Sequence, residues 1–311
     1  MKRLFRDVEG GLLCPQGSVA CIGAFDGLHR GHQALLQHAS SRARALGVPM
    51  VALGFEPLPR EVFAHPPPSR LMLPRPKACG LFEAGAGLVG LLRFDAAFAA
   101  MSAERFVRRL LCERLRVREV WVGPDFRFGS KRGGDLATLH RLGGSCGFEA
   151  GEIAPVLLDG ERVSSTRIRA ALAAGDLPLA ARMLGRPFAI EGHVLHGSRL
   201  GRKLGFPTAN LRFDRKRPPL SGIFAARVHG VGEAAWPAVA SFGTRPTVDG
   251  REPLLEAHLF DFDGDLYGRR IAVEFVAKLR EEEKFDDLPA LVAQMKVDAA
   301  QARAILEKET K

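Results

Sequence analysis

The chain has 311 residues, 46% hydrophobic and 26% charged, which is the composition of a soluble globular protein large enough for two domains. No run of about 18 apolar residues is present and residues 1–8 lack the apolar core of a signal peptide, so the sequence predicts neither a membrane span nor a leader. A formal net charge of +10 suits nucleic acid or a polyphosphate substrate, and the spread of arginine along the chain favours the second.

The first informative element is an apolar run over residues 19–25, which predicts a buried strand. Apolar residues at helical spacing predict a helix over residues 33–46. His29 and His32 therefore stand at a strand-to-helix turn, on one side of the chain. Such a turn binds phosphate, Gly31 lets a phosphate approach the backbone, and two imidazoles can stabilise charge during transfer. Two surface histidines near a helix cap are the alternative.

Strand-like and helix-like segments alternate from this turn to about residue 184. The predicted helices cover residues 77–84, 102–115 and 169–174. The further predicted strands cover residues 48–55, 88–94 and 119–123. This alternation predicts an α/β domain with a parallel sheet covered by helices, and ligands at the carboxyl ends of the strands.

Two later segments of this half carry candidate ligand-binding residues. The loop after the last strand contains Asp125 and Phe126, followed by cations and glycines that suit a triphosphate, although a plain turn with aromatic plugs is the alternative. At the start of the last helix, the hydroxyls of Ser164 and Thr166 can cap the helix or bind phosphate. Arg169 can neutralise a phosphate with its forked donors, or it is a solvated arginine.

The pattern of predicted helices and strands changes after Gly185, where Gly-Arg-Pro ends a helix. Short strand-like runs separated by Gly, Pro and Asp predict a small antiparallel barrel or sandwich. They cover residues 190–195, 222–229, 235–242, 255–260 and 270–278. A terminal helix is predicted over residues 288–306. We therefore expect one domain over residues 1–184 and a second over residues 185–311.

A glycine-rich segment opens the second half. Three glycines recur at four-residue spacing, which suits a loop that wraps phosphates or a simple turn between strands: Gly197, Gly201 and Gly205. Arg202 adds positive charge to this loop. Thr208 and Asn210 alternate onto one strand face, where two hard oxygens could bind Mg²⁺.

These motifs resemble those of the bacterial bifunctional riboflavin kinase/FAD synthetases. The string Gly23-Ala24-Phe25-Asp26-Gly27-Leu28-His29-Arg30-Gly31-His32 is similar to the His-x-Gly-His motif of nucleotidylyltransferases. The string Gly205-Phe206-Pro207-Thr208-Ala209-Asn210 is similar to the riboflavin kinase signature. The resemblance implies a Rossmann-like nucleotidylyltransferase domain followed by an antiparallel β-barrel kinase domain with a terminal helix. Ala24 and Leu58 depart from the family, which usually has Asn and His there.

The resemblance also implies two reactions and the residues that perform them. Riboflavin and ATP would give FMN, and FMN and ATP would give FAD and pyrophosphate, with Mg²⁺ as the metal. The resemblance implies catalytic roles for His29, His32 and Glu256. Glu256 would be the base that removes the proton of the ribityl hydroxyl. ATP or phosphate contacts fall on Gly23, Phe25, Asp26, Gly31, Ser164, Thr166, Arg169, Gly197, Gly201, Arg202 and Gly205. Flavin contacts fall on Asp125, Phe126 and Arg280, and the metal falls on Thr208 and Asn210.

Other interpretations stay open at this point. Glu256 could face solvent from an edge strand, and Arg280 could be a solvated arginine. The chain could retain one activity, the kinase, because both departures fall in the adenylylation motifs. A basic nucleic-acid-binding protein would explain the charge but none of the ordered motifs. We expect only small-molecule partners (ATP, riboflavin, FMN and FAD), with no nucleic acid and no membrane, and the oligomeric state stays open. Five cysteines without a Cys-x-x-Cys pair predict reduced, mostly buried thiols and a cytoplasmic protein.

Overall fold

The computed structural model describes residues 2–197, 201, 204–212, 219–247 and 250–308. Tertiary contacts divide the chain into two compact units, Met1–Pro68 with Met72–Ser164 and Ser69–Leu71 with Ser165–Lys311. The helical residues between 165 and 184 therefore group with the second unit. The domain boundary predicted at Gly185 stays a prediction.

The first unit contains a six-stranded parallel sheet, in the order β1-β4-β3-β2-β5-β6. Its strands are β1 (Arg3–Phe5), β2 (Ser18–Ile22), β3 (Met50–Glu56), β4 (Leu88–Arg93), β5 (Val117–Val122) and β6 (Glu149–Glu152). A separate ribbon pairs β7 (Leu157–Leu158) with β8 (Glu161–Arg162). The predicted α/β architecture is confirmed. Because the chain turns from β2 toward β3 on one side and later toward β5 on the other, the carboxyl end of β2 is a switch point where ligands bind.

Helices cover both faces of this sheet. They are α1 (Arg30–Ala45), α2 (Pro59–Phe63), α3 (Pro74–Glu83), α4 (Ala96–Ala99), α5 (Ala103–Phe106), which continues as a π-helix (Val107–Arg114), and α6 (Leu136–Cys146). A short 3-10 turn covers Ser130–Arg132. Alternate residues of β2 enter two separate hydrophobic clusters, Ala20 and Ile22 on one face and Val19 and Cys21 on the other. The strand is therefore buried on both faces, as in other parallel sheets.

The second unit is a closed antiparallel barrel with helices. The barrel order is β10-β13-β12-β11-β14-β9, and β9 pairs with β10 to close it, so the barrel alternative is the correct one. Its elements are α7 (Ser165–Ala173), α8 (Leu177–Leu184), β9 (Ala189–Leu195), β10 (Ala209–Arg212), β11 (Gly222–His229), β12 (Trp236–Thr247), β13 (Gly250–Leu259), β14 (Arg270–Arg280) and α9 (Leu288–Lys308). Ala302 and Leu306 of α9 pack against Ala225 and Phe260.

Three sequence expectations need correction. Strand β2, predicted to continue to residue 25, ends at Ile22, and the backbone at Phe25 has a positive φ of 51° that a strand cannot adopt. The thiols are not mostly buried, since Cys79 and Cys146 are exposed, although all five cysteines are free. The helix predicted over residues 169–174 begins already at Ser165. No helix among the described residues is long and apolar enough to cross a membrane.

We predict that a fragment starting at residue 165 is more stable than one starting at residue 185, although both should fold. Helix α8 packs against α7 and β14, and it buries Leu177, Met183 and Leu184, so its removal exposes apolar surface of the barrel unit. The midpoint of thermal unfolding should fall by at least roughly 3 °C, the shift that about 1 kcal/mol produces in a domain of this size. Equal midpoints would show that the helical pair adds nothing to the barrel.

Candidate active sites

The turn between β2 and α1 has an unusual backbone. Phe25, Gly27 and Leu28 have positive φ values of 51°, 88° and 46°. The Phe25 ring is fully buried, and a Cβ atom at Gly23 would lie 3.2 Å from it. Gly23 therefore makes room for this ring. Any contact of Phe25 with ATP falls to its backbone, because its side chain belongs to the core.

The predicted histidine pair meets at the start of α1. His29 is the N-cap residue, and its Nδ1 accepts a hydrogen bond from the backbone N–H of His32 at 3.3 Å. The two rings stack with centroids 3.7 Å apart and planes 14° apart. A Cβ atom at Gly31 would lie 3.2 Å from the His29 ring, so the glycine permits this arrangement. Because Nδ1 accepts, a neutral His29 carries its proton on Nε2 and can donate it to a ligand.

His32 is held neutral at this helix start. Burial is the largest cause that lowers its pKa well below the ordinary value of 6.5, followed by the charges of His29 and Lys77. The Nδ1 atom of His32 is buried and has no hydrogen-bond partner among the described residues. Buried polar atoms of native proteins are nearly always paired. The Nε2 atom of His38, farther along α1, is in the same state, so the pairing of these two nitrogens falls to water or to a ligand.

Sequence reasoning missed Lys77, which stands in α3 with a side chain that is fully buried. Its Nζ donates to the carbonyl oxygen of Phe55 at 3.5 Å and to Glu56 Oε2 at 3.4 Å. Both acceptors end β3, the strand beside β2. A lysine inside a helix is expected to face solvent, so only tertiary structure could reveal this buried ammonium. Asp26 is also buried, and its Oδ1 accepts from the Met72 backbone N–H at 3.1 Å.

The loop after β5 places Asp125 and Phe126 at the same edge of the sheet. Asp125 is exposed and accepts a hydrogen bond from Arg162 at 2.7 Å. The Phe126 ring stacks on Phe128, with centroids 5.4 Å apart. These two rings end a continuous row of aromatic contacts that the sequence analysis missed, which consists of Phe63, Phe94, Phe55, Phe98, Phe106, Phe128 and Phe126. Phe63, at one end of the row, is 64% exposed.

The third predicted segment is divided between the two units. A Cβ atom at Gly31 would lie 3.8 Å from the carbonyl oxygen of Val163, so the residue before Ser164 passes close to the histidine turn. Thr166 and Arg169 lie on α7 in the second unit, where the guanidinium of Arg169 donates to the carbonyl oxygen of Ser69. The predicted phosphate contacts of Ser164, Thr166 and Arg169 stay predictions.

In the second unit, strand register brings Asn210 and Glu256 together. The two residues are direct partners between β10 and β13. Asn210 is buried, and its amide nitrogen donates to the carbonyl oxygen of Thr208 at 3.2 Å. A Cβ atom at Gly197 would lie 2.6 Å from that amide nitrogen. The chain at Gly197 therefore approaches Asn210 so closely that only glycine fits.

Of the other two glycines of this segment, Gly201 is packed as tightly, whereas Gly205 adjoins open space. A Cβ atom at Gly201 would lie 2.3 Å from the carbonyl oxygen of Phe206, and Gly205 has a positive φ of 82°. Arg202 lies outside the described residues. The sequence analysis missed His258, whose Nδ1 lies 2.8 Å from the carbonyl oxygen of Pro207. Because a carbonyl only accepts, His258 donates from Nδ1 and ties the signature turn to β13.

Arg280 is not a solvated arginine. Its Nε and Nη2 donate to the two carboxylate oxygens of Asp298 at 2.9 and 2.7 Å, and its Nη1 donates to the carbonyl oxygen of Glu281 at 2.9 Å. Asp298 belongs to α9.

An open, mostly apolar groove of about 480 Å³ lies along the first half of α9. Its lining residues are Leu204, Leu288, Pro289, Val292, Ala293 and Lys296.

Two family models match the chain, FAD synthetase over residues 13–167 and riboflavin kinase over residues 184–306. The bifunctional riboflavin kinase/FMN adenylyltransferase of Pseudomonas fluorescens is 49% identical over 93% of both chains. The protein of the same name from Escherichia coli K12 is 45% identical over 97% of both chains. A crystal structure described as a macrolide-efflux protein from Streptococcus pneumoniae has a TM-score of 0.82 and 31% identity, covering 97% of this chain and 99% of that one.

We predict that Lys77→Met raises the pKa of His32, because it removes a positive charge that opposes protonation of the ring. The imidazole C–H resonance, assigned with His32→Gln, reports this pKa by NMR. Lys131→Met, at an exposed lysine of the same unit, is the control.

The free energy of unfolding of the wild-type protein should fall as the pH drops below about 6.5, because the unfolded chain then binds a proton at His32 and the folded protein does not. This loss of stability should be smaller in Lys77→Met. An unchanged pKa of His32 in that variant would show that the Lys77 charge does not act on the ring.

Proposed function

Because the chain belongs to the family of bifunctional riboflavin kinase/FMN adenylyltransferases, we propose that each unit carries one of the two activities. The enzyme phosphorylates riboflavin to FMN and adenylylates FMN to FAD, using ATP in both steps. We assign one activity to each unit because each unit contains its own cluster of candidate residues. The first holds the stacked pair His29 and His32, and the second holds the cross-strand pair Asn210 and Glu256.

In the first unit, the phosphate of FMN attacks the α-phosphorus of ATP, and the bond to pyrophosphate breaks. The nucleophile is already an anion, so positioning and charge stabilisation matter more than proton transfer. We assign the donors to His29 through Nε2–H and to His32, beside the N–H groups that open α1. The neutral state of His32 allows the close stacking with His29, since two imidazolium rings would repel each other.

The flavin of this step would lie against the aromatic row of the first unit. Flat aromatic rings stack on aromatic side chains, and the exposed Phe63 and the stacked Phe126 offer such faces at the edge of the sheet. Asp125, which is exposed beside this row, is the proposed polar contact. The predicted flavin contacts Asp125 and Phe126 are thereby kept, and Phe63 is added to them.

In the second unit, Glu256 takes the proton from the ribityl hydroxyl as that oxygen attacks the γ-phosphorus, and ADP leaves. Thr208 supplies a hydroxyl and Asn210 an amide oxygen, and such hard oxygen donors fit Mg²⁺ when ATP phosphates complete its coordination. When bound there, the ion neutralises charge on the phosphate oxygens. Gly197 and Gly201 bring the loop backbone close to these donors, where its N–H groups can bind phosphate.

The isoalloxazine of riboflavin would occupy the groove beside α9. Its lining is mostly apolar, with Leu204 from the glycine-rich segment and Val292 from the helix, so a flat apolar ring system fits. Leu204 stands four residues before Thr208, so the groove adjoins the signature turn. We place both reactions in the cytoplasm, because the five cysteines are free thiols.

We predict that His29→Ala or His32→Ala lowers FAD formation by about 10²–10³-fold, the effect of removing one donor that stabilises a transition state. FMN should still accumulate from riboflavin, because the histidines lie in the other unit. Chromatography of riboflavin, FMN and FAD after incubation with Mg-ATP measures both steps. His140→Ala, at an exposed histidine of α6, is the control. Equal loss of both products, with circular dichroism unchanged, would refute the division of labour.

We predict that Glu256→Gln binds riboflavin but loses about 10²–10⁴-fold in phosphorylation rate, as expected when a positioned base is removed. Asn210→Ala should instead be partly rescued by raising Mg²⁺, because its proposed role is metal binding. FMN formation in each variant over a Mg²⁺ series separates the two roles, and Glu191→Gln on β9 is the matched carboxylate control. A near wild-type rate in Glu256→Gln would make the carboxylate structural.

A further inference from the structure

We propose that Arg280 and Asp298 form a positioning pair, which holds the first half of α9 in place as a wall of the riboflavin groove. The inference rests on the proposed location of riboflavin in the kinase unit. It gives Arg280 a different role from the flavin contact that the family resemblance implies, because the guanidinium acts on the flavin through α9.

The contacts of Arg280 leave little of its guanidinium to a ligand. Three of its nitrogens donate hydrogen bonds, two of them to opposite oxygens of one carboxylate at 2.9 and 2.7 Å. The plane also lies over the Phe285 ring at 5.7 Å. Asp298 is only 3% exposed, so this forked ion pair is shielded from solvent on the carboxylate side. A paired fork of this kind fixes both the distance and the angle between β14 and α9.

Within the part of the chain that the structure describes, the first half of α9 has no comparable apolar anchor. The hydrophobic cluster of this helix contains Ala302 and Leu306, which lie in its second half. Along the helix from Leu288, Asp298 is the first residue that is buried, whereas Leu288 itself is 54% exposed. Gln294 donates to Asp298 Oδ1 at 2.9 Å and extends the network one turn toward the helix start.

The groove depends on this half of the helix. Of its lining residues, all except Leu204 belong to α9 between residues 288 and 296. Val292 stands six residues before Asp298, which is about 9 Å along the axis at 1.5 Å per residue. A change of tilt at Asp298 is therefore amplified at the lining. If the helix holds its position for only a tenth of the time, the apparent Kd for riboflavin rises about tenfold.

The test measures the Kd for riboflavin by quenching of its fluorescence, together with KM and kcat of the kinase, in the full chain. Asp298→Asn should raise Kd and KM about tenfold with little change in kcat. Hydrogen exchange in residues 288–296 should increase in the same variant. Adenylylation of supplied FMN should not change, because it belongs to the other unit, and an unchanged circular dichroism spectrum reports that the variant is folded. Arg280→Lys, which keeps the charge without the fork, should have a smaller effect in the same direction.

The chain contains a matched control at the other end of the same helix. Arg303 donates to both carboxylate oxygens of Asp261 at 2.7 and 3.0 Å, and both side chains are largely exposed. This pair holds the second half of α9, which the hydrophobic cluster also anchors. Arg303→Met should therefore leave the Kd for riboflavin and the exchange of residues 288–296 unchanged.

Four outcomes would contradict the proposal or the riboflavin location on which it rests. If Arg280→Lys weakens riboflavin binding but Asp298→Asn does not, Arg280 contacts the flavin directly. If Asp298→Asn and Arg303→Met change Kd equally, the pair only stabilises the fold. Val292→Lys tests the groove itself. An unchanged Kd for riboflavin in Val292→Lys refutes the location of riboflavin in the groove. If Val292→Lys raises the Kd but Asp298→Asn keeps the wild-type Kd, only the positioning role is refuted.

Discussion

The stacked contact between His29 and His32 is the constraint on which the first site depends. Two imidazoles can lie face to face at 3.7 Å only when at least one is uncharged, and burial together with a nearby ammonium keeps His32 neutral. The same contact requires Gly31, because a side chain would meet the His29 ring. It also requires the strand to end early, since the left-handed residues that follow turn the chain back to the helix start.

The second site satisfies a comparable constraint by different means. Here the register of two barrel strands brings Asn210 opposite Glu256. The close approach of Gly197 to the Asn210 amide then fixes the start of the glycine-rich segment. A one-residue slip of β10 against β13 would turn Asn210 to the face of the barrel opposite Glu256, so the function of this unit depends on register.

These differences explain how much the sequence could predict. The histidine turn is local, because strand, glycine and helix all lie within about 30 consecutive residues, and periodicity finds such elements. Asn210 and Glu256 are far apart in the chain, so their pairing was not predicted. Strand alternation pointed to Asn210, whereas the role of Glu256 came only from the resemblance to a family. Lys77 and His258 were missed because their partners are backbone carbonyls of distant segments. The row of aromatic rings was missed for the same reason, since burial and contact are tertiary properties.

Both units also contain a buried ionic pair beside the surface where a substrate is proposed to bind. In the first unit Lys77 approaches Glu56 at 3.4 Å, and in the second Arg280 binds Asp298 at 2.7 Å. Buried pairs of this kind add little net stability, because the cost of removing both charges from water offsets their attraction. A hydrophobic pair could hold the same elements at many angles, whereas the forked pair of Arg280 and Asp298 accepts few. The position of each pair beside a proposed substrate surface therefore favours a role in the geometry of the site over a role in stability.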